Sequence, residues 1–280
     1  MNRPTIRCHP TEIFGYSVSC DNSDEMQKNF RQQYCPFLKA ECKKFRKSTP
    51  EVKIGSCSLG YKGEHMDSFQ PVIVCPERFN VPIVFDTIKN KYLNHWPNIA
   101  WRSEVSMGVG GSVDWVAVNE GDSRPWKIDD FLCVEFQAAG TTGTPWDAIE
   151  EFKRHHRFTQ ERYGYGINWA NEFSKTMMQQ VFKKGNIVEH WKRKIVFVVQ
   201  DVGMDYIKFA NDWSGFREPR EEDPIHFLVF TLLWEEDKWQ LRPTERLSTD
   251  LSGVAKVLAG ANMSEYPSVE DFIRNIERKR

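Results

Sequence analysis

Two short apolar runs constrain this chain more than any other feature. They are Val113 to Val118 (VDWVAV) and Phe131 to Gln137 (FLCVEFQ), and each holds a carboxylate among β-branched and aromatic residues. Such runs read as β-strands. The segment between them, NEGDSRPWKIDD, is polar with Gly and Pro and reads as a turn or loop. Closed symmetrically as an antiparallel hairpin, the runs pair Val118 with Phe131, and the same register sets Asp114 opposite Glu135. Two facing carboxylates are destabilising as a bare pair. A divalent cation turns that liability into a site, because hard cations such as Mg²⁺ take one or two carboxylates. Side chains alternate along a strand, so Cys133, Glu135 and Gln137 share one face, while Leu132, Val134 and Phe136 face the core. On the residues alone, a pair of solvated surface carboxylates remains the competing reading.

The rest of the chain mixes strand and helix patterns, which predicts an α/β fold with a mixed central sheet. Residues 78–94 read as a helix with Pro82 marking its start. Thr144 suits the N-cap of another helix, with Pro145 at the first position and Asp147 in the first turn. Trp169, Phe173, Met177 and Val181 repeat every four residues, which predicts a helix from Trp169 to Lys184 with Gly185 as its C-cap. Lys194 to Gln200 (KIVFVVQ) is a continuous apolar strand, expected to be buried. Residues 225–234 and 238–243 form a hairpin pattern around Glu236 and Asp237, and Ser268 with Asp271 resembles a capping box.

Of the seven cysteines, six lie in residues 1–80 and only Cys133 beyond, so the chain divides into a cysteine-rich N-terminal region and a regular core over 81–280. There is no run of 18 apolar residues, which argues against a membrane span. The first residues lack the apolar stretch of a secretory signal. A cytoplasmic, reducing setting is therefore expected, and the cysteines read as thiols or metal ligands rather than disulfides. Cys35, Cys42, Cys57 and Cys75 are the candidate set. Cys35 and Cys75 precede prolines, which biases them to extended backbone, and Gly55 and Gly60 flank Cys57. Buried free thiols fit this pattern as well as metal ligands do.

The formal net charge is −1, so any affinity for nucleic acid must come from local clusters. Three stand out: Lys43, Lys44, Arg46 and Lys47; Lys153 to Arg157; and Lys183, Lys184, Lys192, Arg193 and Lys194. Clusters of this kind neutralise phosphates. The glycine-rich stretch 108–112 precedes a strand instead of linking strand to helix, so it reads as a turn feeding the Asp114 strand.

The order Asp114, then Glu135-Phe136-Gln137, resembles the PD-(D/E)xK nuclease superfamily, in which an Asp on one strand and an acidic-x-Lys triplet on the next bind metal. Here Gln137 stands at the Lys position. The NotI-type restriction endonucleases carry Gln there, and the chain is similar to them in IFGYSVS (13–19), YCPFLKAEC (34–42), VCPERF (74–79), SEVSM (103–107), VDWVAV and CVEFQAAGTTG (133–143). The similarity runs to about residue 210. It implies a restriction-endonuclease-like fold and a type II enzyme that cuts duplex DNA at a palindromic site as a homodimer, with no membrane association. It implies Mg²⁺ ligands at Asp114 and Glu135, a water-orienting Gln137, and Glu104 as an outer metal ligand or proton acceptor. It further implies that Cys35, Cys42, Cys57 and Cys75 hold a structural iron or zinc ion. A non-catalytic, metal-stabilised DNA-binding protein on the same scaffold, or a nuclease serving repair or phage defence, are the alternatives.

Overall fold

The computed structural model describes residues 5–20, 22–46, 49–121, 128–260 and 268–278. Lys47 of the first basic cluster and residues 122–127 of the expected loop lie outside them. The chain is a mixed α/β protein built on a six-stranded sheet with helices against both faces. From one edge to the other the strands are Ile99–Ser106, Ser112–Glu120, Ile128–Gln137, Lys194–Gln200, Ile225–Glu235 and Lys238–Thr249. The first three pair antiparallel, Ile128–Gln137, Lys194–Gln200 and Ile225–Glu235 are parallel, and the last pair is an antiparallel hairpin.

Lys194–Gln200 lies at the centre, and Ile195 to Val199 are fully buried. Ile195, Phe197 and Val199 pack with Met177, Met178, Val181 and Val188 on one face. Val196 and Val198 pack on the other with Leu132, Val134, Phe136, Val84 and Ile88. Neither side meets water, which explains the absence of polar alternation in the sequence. The same holds one strand over: Cys133, Glu135 and Gln137 are buried too, so the face expected to carry the site is not a solvent face.

Most expected elements form with shifted ends. The Pro82 helix is Pro82–Tyr92, with Pro82 at its first turn. The Thr144 helix begins at Trp146 with Pro145 in the capping position, one residue later than expected. Ser268 accepts from Asp271 N–H at 3.0 Å to cap Val269–Glu277. The hairpin turns on Glu236 and Asp237, both at positive φ, as two-residue loops between twisted strands require.

Gly185 is a correction. It is not a C-cap: a π-helical stretch, Ala170–Met177, runs into an α-helix, Met178–His190, that continues past it. A Cβ on Gly185 would lie 2.3 Å from Ile225 Cδ1, so glycine is needed there for helix and sheet to approach.

Before residue 80 a four-stranded sheet forms from Tyr16–Ser17, Pro10–Ile13, Ser56–Tyr61 and Gln70–Ile73, in that order. Its Leu59 and Val72 join the buried cluster of the large sheet. Two polar ties reinforce the junction. Gln200 accepts from Ile73 N–H at 2.7 Å and donates to the Pro71 carbonyl at 2.6 Å. Buried Glu12 receives Arg78 Nε at 3.0 Å and Ser58 Oγ at 2.7 Å, while Arg78 also donates to the Trp239 carbonyl. Among the described residues no helix is long and apolar enough to cross a membrane.

In an ordinary helix interior Gly→Ala stabilises by about 1 kcal/mol. Here Gly185→Ala should instead destabilise by about 1–3 kcal/mol through overpacking, and Ile225→Val should relieve part of that loss. Urea denaturation of the single and double variants checks both.

Candidate active site

The hairpin register is as the sequence reading expects: Val118 pairs with Phe131 and Trp115 with Val134, which sets Asp114 beside Glu135. Phe136 N–H donates to Asp114 Oδ2 at 2.6 Å and holds that carboxylate against the neighbouring strand. On its other side the Asp114 strand pairs Val113 with Val105 and Trp115 with Ser103, so the position between them brings Glu104 opposite Asp114. Glu104, Asp114 and Glu135 thus form one row across three strands.

Glu135 is 7% exposed. Burial, then the charge of Asp114, push its carboxyl up to about 7, with Lys184 acting against them. Burial also raises Asp114, opposed by the Phe136 N–H and by Lys184. Lys184, 5% exposed, reaches the site from the Met178–His190 helix. Its Nζ lies 2.5 Å from Glu135 Oε1 and 2.8 Å from the Ser112 carbonyl. Lys184 therefore belongs to a buried ion pair and not to a phosphate-neutralising surface cluster. The sequence carried a signal for this: Lys184 lies three residues after Val181 and four before Val188, on the buried stripe of its helix.

Glu104 stands apart in exposure. Its side chain is 72% exposed, its φ is +54°, and Lys43 Nζ holds it at 2.7 Å. That contact holds its carboxyl below the usual range. Lys43 also lies 3.9 Å from Glu77, a residue the sequence reading passed over. Burial raises Glu77 first, and the charges of Asp114 and Glu104 add to this. Glu77 comes from the turn Pro76–Phe79, directly after Cys75, and no sequence pattern marks it as part of this row. Gln137 is buried, and its amide donates only a long contact, 3.4 Å, to the Ala138 carbonyl.

Glu135 Oε2 is buried without a hydrogen-bond partner among the described residues. An orphaned carboxylate oxygen beside a second carboxylate suits a hard cation, which needs only one or two such ligands and completes its shell with water or phosphate oxygens. No group of three or more His, Cys, Asp or Glu among the described residues is arranged as a metal cage.

The four candidate cysteines share one neighbourhood. Cys57 is buried and raised well above the usual thiol range by burial, then by Cys75 and, more weakly, Cys35. Burial pushes Cys75 up to about 11, with Lys44 opposing and Cys42 and Cys35 adding. Lys44 sits within reach of Cys75, Cys57 and Cys42, and donates to the Val74 carbonyl at 2.6 Å. The other three cysteines are elsewhere: Cys8 near Arg162, Cys20 donating to the Asp237 carbonyl, and Cys133 near Glu135. The four thiols are thus gathered, with Lys44 near three of them, but among the described residues they are not arranged as a metal site.

Comparison with family models and with curated proteins returns no match.

Removing one partner of a buried ion pair costs about 3–5 kcal/mol, while replacing both costs far less. Lys184→Met should therefore destabilise strongly, and adding Glu135→Gln should recover most of the loss. A double-mutant cycle of denaturation midpoints measures the coupling. Additive losses would show that the pair carries no coupling.

Proposed function

We propose that this chain is a metal-dependent, site-specific endonuclease of the NotI-type branch of the PD-(D/E)xK superfamily. It would hydrolyse both strands of duplex DNA at a palindromic sequence, as a homodimer in the cytoplasm, on a restriction-endonuclease-like core. The observation that carries this reading is the row Glu104, Asp114, Glu135 with a buried lysine behind it. Like charges one strand apart are costly, and their accumulation at one sheet end is most readily understood if a cation is to be held there.

Asp114 and Glu135 would hold Mg²⁺, which when bound supplies positive charge to a phosphodiester oxygen. Hydrolysis joins a water oxygen to phosphorus and breaks one P–O ester bond. Gln137, at the end of the same strand, can orient that water by accepting a hydrogen bond through its amide oxygen. It brings no charge, whereas Lys184 does: its ammonium, on Glu135 Oε1, opposes the upward pull of burial on that carboxyl and leaves Oε2 available. Glu104, exposed and outermost, is the proposed outer metal ligand or acceptor of the proton released by water.

Cys35, Cys42, Cys57 and Cys75 are the proposed ligands of one structural iron or zinc ion. Support comes from their shared neighbourhood and the exclusion of the other three cysteines.

Incubation with long duplex DNA and Mg²⁺ should yield discrete fragments, and EDTA should abolish them. Asp114→Ala should leave the DNA uncut while retaining the fold, and Glu135→Ala should also leave it uncut, at the stability cost of an unpaired buried Lys184. Uncut DNA with every divalent ion tried would sink the nuclease reading.

Elemental analysis of the purified chain should find about one iron or zinc per chain, lost in Cys35→Ala and Cys75→Ala. Metal-free protein, or unchanged content in both variants, would refute the structural centre.

A further inference from the structure

Exposure falls along the acidic row: Glu104 is open to water, Asp114 is half-buried and Glu135 is buried. A phosphodiester therefore reaches the Asp114–Glu135 pair from the Glu104 end, where the carboxylates repel it. Lys43 stands at that end. Its side chain is 59% exposed, and its ammonium lies 2.7 Å from Glu104 Oε1 and 3.9 Å from Glu77 Oε1. Its charge also reaches Asp114. Two other cations beside the row are committed elsewhere. Lys184 is buried against Glu135 and the Ser112 carbonyl, and Arg102, on the Glu104 strand, is paired with Glu120.

The chain fixes the base of Lys43 and leaves its tip free. On one side Cys42 N–H donates to the Gln33 carbonyl at 2.9 Å. On the other, the Lys44 carbonyl accepts from Ile54 N–H at 2.7 Å, and Lys44 Nζ is held on the Val74 carbonyl at 2.6 Å. The four-carbon stem that carries the ammonium is flexible. An ammonium has three donors, and among the described residues only Glu104 engages that of Lys43 within hydrogen-bond distance. An ion pair between two exposed groups adds little to stability, so exchanging Glu104 for another anion costs little. Neighbouring strands lie about 4.8 Å apart, and rotation of the stem can cover such a step from Glu104 towards Asp114.

We infer that Lys43 is a catalytic residue of the nuclease proposed above, on which reading this inference rests: its ammonium leaves Glu104 and donates to a non-bridging oxygen of the scissile phosphate. As the water oxygen bonds to phosphorus and the P–O ester bond breaks, the non-bridging oxygens carry the negative charge, and a positioned cation acts on them directly. Lys43 keeps its protons throughout. The same exchange frees Glu104 Oε1 for the role proposed for it. The cysteine-rich region thus supplies one side chain directly to the reaction.

Single-turnover cleavage at saturating DNA, on the site read from the fragment ends, tests it beside DNA affinity in EDTA. Lys43→Met should lose about 10²-fold or more in rate while weakening DNA binding by no more than about tenfold. It should melt like the parent, and Lys43→Arg, which keeps the charge, should recover most of the rate. A stereodefined phosphorothioate at the scissile position separates a phosphate contact from mere pairing with Glu104. Sulfur in place of the oxygen that Lys43 meets should slow the parent. In Lys43→Met that penalty, for one diastereomer, should shrink by at least about threefold, because a contact already lost cannot be lost again. Sulfur penalties equal in parent and variant for both diastereomers, a variant rate within about threefold of the parent, or a loss confined to DNA binding would each overturn the inference. In those cases cleavage by the parent leaves the nuclease reading standing. A parent that cuts no DNA overturns that reading and the inference with it.

Discussion

Five consecutive residues at the centre of the sheet, Ile195 to Val199, are buried on both faces at once. A strand with no polar side cannot be solvated, so it needs an apolar layer above and another below. Pro82–Tyr92 contributes to one layer and Met178–His190 to the other. The second layer must come close, and Gly185 allows it by presenting no side chain to Ile225. One consequence of that close approach is chemical: the residue before Gly185 is Lys184, and its ammonium reaches Glu135 on the neighbouring strand.

The electrostatics at the sheet end follow from this packing. Three acids in a row across neighbouring strands repel one another, and burial of two of them adds to the cost. Lys184 offsets the repulsion from inside the core, and Lys43 does so from outside by bridging Glu104 and Glu77. One atom of the row, Glu135 Oε2, is left buried without a hydrogen-bond partner among the described residues. Lys43 and Lys44 are adjacent in sequence but serve different neighbourhoods, one facing the acids and the other three of the four cysteines. The cysteine-rich region and the acidic row are in this way joined through two consecutive side chains.

How much of this was legible before folding depends on the range of the interaction. The hairpin register could be read because two patterned runs are joined locally and symmetrical closure leaves one pairing, Val118 with Phe131. The turn at Glu236 and Asp237, the start at Pro82 and the Ser268 cap are likewise local. Gly185 was misread because a glycine that ends a helix and one that admits a neighbouring strand look alike in sequence. Lys184 was read as a surface charge because its partner is 49 positions away. Glu77 carried no pattern at all, since it is drawn to the row by the approach of Lys43 and Asp114 from other elements.

The sequence by itself therefore determined five of the six strands of the large sheet, the pairing of its two hairpins and the Asp114–Glu135 juxtaposition, because side-chain alternation and short connections leave few alternatives; it did not mark Ile99–Ser106 or the N-terminal sheet. Only the tertiary structure decided what stands behind and around that pair. Burial of both sheet faces, the Lys184 ion pair and the Glu104 and Glu77 flanks arise from contacts between distant segments. Desolvation and Coulomb energies at these places depend on which groups meet away from water, and that is set by packing rather than by sequence neighbours.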